Sequence, residues 1–283
     1  MTDVDGLLAD FRRRYPDALA VCAQMADRRG SEGVEWPEWC WLPMAGVVAY
    51  LADKGQPNGE IGKVAALTAW RLGRGVYELD ADVSATSVIE LWNLVGGAEN
   101  RARAVLPGLD AWSRLPEWCC YVRWPDAARL PDTIVGEFHP RGVFVHLEYD
   151  MNTARPELRL VIDTDGTWDN LTPIPIYLDR PTMGSAVADV EANTRASARG
   201  ARGANAHSLT GPSSVAAFPS LAAWQVLPLV LSLIDPAVEH IDPTAPGDRP
   251  RRAQRRPQGW RPAPATRLWS TTYTTRPKLT VVQ

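Results

Sequence analysis

Five carboxylates crowd one β-prone stretch of this chain: Glu148, Asp150, Asp163, Asp165 and Asp169. Grouped carboxylates can hold a divalent cation, which lowers the pKa of bound water and neutralises phosphate charge during phosphodiester hydrolysis. In that reading Glu148 or Asp150 joins Asp163 and Asp165, with carboxylates converging within about 5 Å of one another. The competing reading is turn chemistry. Asp150 and the stretch 163–166 sit where strands end, and Asp there bonds its own backbone. No second motif accompanies the metal reading, so no metal site is assigned.

Other reactive constellations are sparse. The four histidines are His139, His146, His207 and His240, and no Gly-x-Ser-x-Gly element accompanies them,. The Gly73-Arg74-Gly75 pair follows a helical pattern rather than a strand, so it is not a dinucleotide fingerprint. Neither Walker nor zinc-ligand spacing occurs. No catalytic residue and no cofactor is assigned, which favours a protein that works by binding a macromolecule.

The C-terminal stretch carries a different signal. Nine basic residues and no acidic one lie from Arg249 onward, although the whole chain has a net charge of −3. Arg251, Arg252, Arg255, Arg256 and Arg261 cluster around Trp260. Arginine grips phosphate, and an exposed indole can stack on a base, so this set is the candidate nucleic-acid contact, toward RNA or the ribosome. Two alternatives stand beside it: a solvated tail, or a tail folded back on the acidic body.

These residues need elements to position them. Apolar spacing predicts helices over 4–14, 16–28 with Pro16 in the first turn, 43–54 and 61–72, the last stopped by Gly73 and Gly75. Short β-rich runs follow at 119–124, 143–149, 158–162 and 174–178, each bounded by Pro, Gly, Asn or Asp. Residues 143–149 and 158–162, joined through 150–155, form the clearest hairpin. Pro173 and Pro175 place the 174–178 run at a sheet edge. A helix over 182–194 precedes an Ala/Gly/Ser/Arg-rich loop at 196–214 and an apolar helix over 221–234 kinked at Pro228. The fold class is α+β: N-terminal helices, a central mainly antiparallel sheet of four or five strands, C-terminal helices and a basic tail. The segments are 1–114, mainly helical; 115–240, sheet and following helices; and 241–283, a Pro/Arg-rich tail with little to support a core.

Composition agrees with a globular chain: 45% hydrophobic residues, 22% charged and twelve tryptophans,. The longest apolar stretch, about 14 residues, falls short of the roughly 20 that span a bilayer, so no membrane partner is expected. Cys22, Cys40, Cys119 and Cys120 form no C-x-x-C pair and read as reduced, buried thiols of a cytoplasmic protein,. One short sequence occurs twice, as Pro37-Glu-Trp-Cys40 and Pro116-Glu-Trp-Cys119. Its Trp and Cys are expected to be buried where a loop enters the fold.

Several ordered pieces carry a resemblance. They are Trp41-Leu-Pro-Met44; Ala69-Trp-Arg71 with Gly75-Val-Tyr77 and Leu79-Asp80; Leu115-Pro-Glu-Trp-Cys119 with Tyr121-Val122; Gly142-Val-Phe144; Leu160-Val-Ile-Asp-Thr-Asp165; Ser185-Ala-Val187; and Leu227-Pro-Leu229 running to Pro236. In this order, over roughly 36–236, the chain resembles the large family of anti-CRISPR proteins directed at type V-A systems, found on phages, plasmids and other mobile elements. The resemblance implies an inhibitor that recognises the effector nuclease polypeptide while it is being made, in the cytoplasm of a bacterial host, and so lowers its amount. It transfers no catalytic residue. After Trp260 the chain departs from the family's His- and Trp-rich ending. The candidate peptide contact is the open strand edge at Ile174, Ile176 and Leu178, because unpaired backbone groups template an added strand.

Overall fold

The computed structural model describes residues 3–56, 58–95, 98–125, 140–202 and 214–274. Among the described residues there are seven strands: β1 (Gly75–Leu79), β2 (Cys119–Arg123), β3 (Gly142–Asp150), β4 (Arg155–Asp163), β5 (Leu171–Tyr177), β6 (Val238–Ile241) and β7 (Arg267–Tyr273). They form one mixed sheet in the order β5-β4-β3-β2-β1-β7-β6. β1 runs parallel to both β2 and β7, and the other neighbours are antiparallel.

The β3–β4 hairpin forms as its sequence predicts, in unbroken register from Gly142↔Asp163 to Asp150↔Arg155. Asp150 closes the turn by accepting from the Asn152 backbone N–H at 2.9 Å and the Thr153 hydroxyl at 2.7 Å. β5 is an edge strand, and its prolines are tolerated there because the open side needs no ladder donors,.

Strand residues alternate between faces. Tyr77, Cys120, Val145, Leu160 and Ile174 enter one core, and Val76, Cys119, Phe144 and Val161 enter the other. The second core is covered by α1 (Asp3–Arg14), α2 (Ala18–Ala26), α3 (Met44–Asp53) and α4 (Ile61–Gly73). On the first face lie α5 (Ala81–Val95), the short α6 (Ala98–Arg103) and α7 (Leu109–Trp112), then α8 (Met183–Arg202) and α9 (Ser214–Leu231). Trp70, Trp112, Trp168 and Trp269 are among the largest fully buried side chains. No helix among the described residues is long and apolar enough to cross a membrane.

The structure corrects the strand count and the tail. The sheet has seven strands, not four or five, because β1, β6 and β7 join it. β7 lies between β1 and β6, with Trp269 and Thr271 buried, so the C-terminal stretch does support a core. Its Arg- and Pro-rich flank hides the alternation of Leu268, Trp269 and Thr271. α8 runs to Arg202, past the expected end near 194, and α9 starts at Ser214 with Pro219 and Pro228 inside it. His139, His207 and residues 203–213 lie outside the described residues.

Candidate recognition groove

The strand-end carboxylates do not converge. Glu148 opposes Glu157, whereas Asp163 opposes Gly142, six residues away along β3. At about 3.3 Å per residue these lie roughly 20 Å apart. Asp163 accepts from Tyr121 Oη at 2.9 Å and from the Gly166 N–H, and Asp165 caps its own turn through Thr167 and Asn170. Asp150 is spent on its turn, and Glu148 bonds His146 at 2.8 Å. Among the described residues no group of three or more His, Cys, Asp or Glu could hold a metal ion. Asp150, Asp163 and Asp165 make turn contacts, and Glu148, Asp150, Asp163 and Asp165 do not come together at one point.

Beneath α3 and α4 the hairpin instead carries a buried polar quartet. His146 pairs across the strands with Arg159, and Glu148 with Glu157. Arg159 Nη2 lies 2.5 Å from Glu157. Burial pushes the Glu157 carboxyl up to about 7, and the Glu148 charge adds to the rise while Arg159 opposes it,.

The repeated Pro-Glu-Trp-Cys sequence has a structural meaning. Cys40 and Cys119 are fully buried, as expected, and all four thiols are free and buried. Trp39 and Trp118 are half-buried: each packs against the core and also lines the same surface groove of about 770 Å³. Glu38 also lines it, with Asp27, Arg29, Arg252, Gln254, Arg255 and Trp260. In the second copy, Glu117 turns inward. It accepts from the Gly75 N–H at 3.0 Å and Trp269 Nε1 at 3.2 Å, tying β1 and β7 to the loop that enters β2. A Cβ at Gly73 or Gly75 would run into the Glu117 carboxyl group, which would have to shift from its hydrogen bonds.

The basic stretch forms the groove's far wall. The Arg252 guanidinium lies over Trp118 at 4.9 Å and donates to the carbonyls of Ser113 and Leu115. Arg255 pairs with Asp27 at 2.6 Å. Trp260 meets Trp41 and Trp118 edge-on, and its buried Nε1 has no hydrogen-bond partner. Trp118 Nε1 donates to the Ala253 carbonyl at 2.8 Å. Of the candidate nucleic-acid contacts, Arg252 and Trp260 are thus built into the fold and Arg255, itself exposed, is tied to Asp27, while Arg251, Arg256 and Arg261 are exposed beside them. The tail folds back on the body, one of the alternatives its charge left open.

The candidate strand edge is open, but its side chains do not face a partner. Ile174 and Ile176 are 0% exposed and Leu178 is 5% exposed, all in the core beneath α8 and α9. Sequence reasoning missed Asp27, Arg29, Glu38 and Gln254 as groove residues. The repeated Glu-Trp pair was the available signal, because two copies of one loop sequence can serve one surface.

Comparison with known proteins agrees with this architecture. A family model described as AcrVA2-like, the anti-CRISPR type V subtype A2 family, matches residues 90–282. The crystal structure of AcrVA2 superposes with a TM-score of 0.62 at 17% identity, covering 96% of this chain and 84% of that one, which shows a shared fold. No curated protein matches by sequence. With the model spanning more than half its length, the chain belongs to the AcrVA2-like anti-CRISPR family.

Proposed function

We propose that this protein inhibits a type V-A CRISPR effector by binding the effector polypeptide, including the chain as it emerges during synthesis, and thereby lowers its amount. It acts in the cytoplasm of a bacterial host, through binding rather than turnover. Family membership supports the anti-CRISPR role. The observation that carries the binding mode is the groove in which Trp39, Trp118 and Trp260 meet charged side chains of both signs. Indoles supply large contact area at small entropic cost and dominate protein-binding energetics. Glu38 is an exposed carboxylate there, beside the half-buried indoles. The groove is a better docking place than the β5 edge, whose alternate side chains point into the core.

Affinity purification from cells that carry a type V-A system tests the reading, with both protein and RNA identified. Effector polypeptide, full-length or nascent, should accompany the wild-type protein, and effector abundance should fall. Recovery of RNA without any effector polypeptide would instead support an RNA-binding protein.

A further inference from the structure

His146 and Glu148 are two apart on β3, so both side chains point toward α3 and α4, and each is 2% exposed,. His146 Nε2 meets Glu148 Oε1 at 2.8 Å. Facing a carboxylate, Nε2 is the proton donor, which leaves Nδ1 of the neutral ring an acceptor. Neither His146 Nδ1 nor Glu148 Oε2 has a hydrogen-bond partner within the protein, and both atoms are buried. Trp41 Nε1, in the loop before α3, is a buried N–H donor in the same condition. The cross-strand neighbour of His146, Arg159, is taken by Glu157 and by Met44 Sδ.

Trp41, His146 and Glu148 line one cavity of about 10 Å³. Small side chains leave it open: Ala65 and Ala69, one turn apart on α4, bring only methyl groups to it,. Its other walls are apolar, and Trp118 is the one lining residue that is half-buried rather than buried. Two acceptors and one donor thus border a space the size of one water molecule, which needs roughly 10–15 Å³ and two to four polar partners. An apolar group there would leave all three atoms unpaired, and a cation would meet the indole N–H. Water matches the count. Its two hydrogens serve Glu148 Oε2 and His146 Nδ1, and a lone pair accepts from Trp41 Nε1.

We propose that this cavity is an internal water site in which one water bridges Trp41, His146 and Glu148. The water fastens the loop before α3 to the β3–β4 hairpin. That junction lies behind the recognition groove: Trp118 lines both the groove and the cavity, and Trp41 packs edge-on against Trp260. The bridge therefore belongs to the support of the groove's inner wall, and it forms with no partner bound.

The full-length protein alone tests this, by crystallography and by nuclear magnetic resonance. In a high-resolution crystal structure one ordered water should lie within hydrogen-bonding distance of Trp41 Nε1, His146 Nδ1 and Glu148 Oε2. In solution the Trp41 indole N–H should show a cross-relaxation peak at the water frequency, with the sign of a long-lived contact, because a buried water held by three bonds is costly to remove. Trp41→Phe identifies that resonance by removing it, and through-bond assignment of the wild-type protein identifies it if the variant does not fold. Crystal density that leaves the cavity empty would overturn the proposal. So would a Trp41 N–H without a water peak, or side chains turned so that the three atoms find partners within the protein.

Discussion

Glu117 is the residue on which several sequence features converge. It explains the acid of the second Pro-Glu-Trp-Cys copy and the two glycines that flank Arg74. Burial pushes its carboxyl up to about 7, although hydrogen bonds from Gly75 and Trp269 pull the other way. The unfolded chain ionises near the ordinary value of 4.5, so rising pH removes the proton first from the unfolded state. The stability contributed by neutral Glu117 is complete below about 4.5 and is lost as pH climbs to about 7, a change on the order of 3 kcal/mol. Tm should therefore fall between pH 5 and pH 7, with the buried Glu157 carboxyl adding to the fall, and Glu117→Gln should remove only the Glu117 share of that slope. An equal slope in the variant would remove Glu117 as one of its sources. Gly75→Ala has no room beside the same carboxyl and should cost roughly 2 kcal/mol or more, read from denaturant unfolding,.

At the scale of elements, local pattern revealed what local pattern creates. The β3–β4 hairpin announced itself through alternation and an Asp-led turn, and α1 to α4 through apolar spacing and glycine stops. β1 was hidden because its five residues follow the Gly73–Gly75 helix stop directly. β7 was hidden because its burial depends on partners about 190 residues away in sequence, at Gly75–Leu79. No single-segment pattern carries such pairing. The groove was legible only in part: the repeated loop and the Arg/Trp stretch were visible, but their meeting depends on β7 drawing the chain back. A chain ending at Asp248 would lose β7, and with it β6's pairing partner. It should lack a cooperative unfolding transition by circular dichroism. A cooperatively folding product with native-like helix and strand content would show that the basic stretch is an appendage.

For the whole molecule, the described residues form a seven-stranded sheet with helices on both faces and the indole-lined groove at the surface. The groove's walls come from sequence regions near 27–39, 118 and 252–260, so it exists only when the complete fold does. All three guanidinium groups lining it are held by the protein itself: Arg255 through Asp27, Arg252 through the carbonyls before β2, and Arg29 through the carbonyls of Glu38 and Cys40. Their work is to shape the cleft, which leaves indole faces and Glu38 to meet a partner. Affinity for the effector should accordingly depend more on Trp39 than on salt. The most direct test is the Kd of purified effector polypeptide for the wild-type protein and for Trp39→Ala, with circular dichroism confirming that the variant folds. The account predicts a loss of about 2 kcal/mol, roughly thirtyfold in Kd. A folded Trp39→Ala protein that binds the effector as tightly as wild type would contradict it.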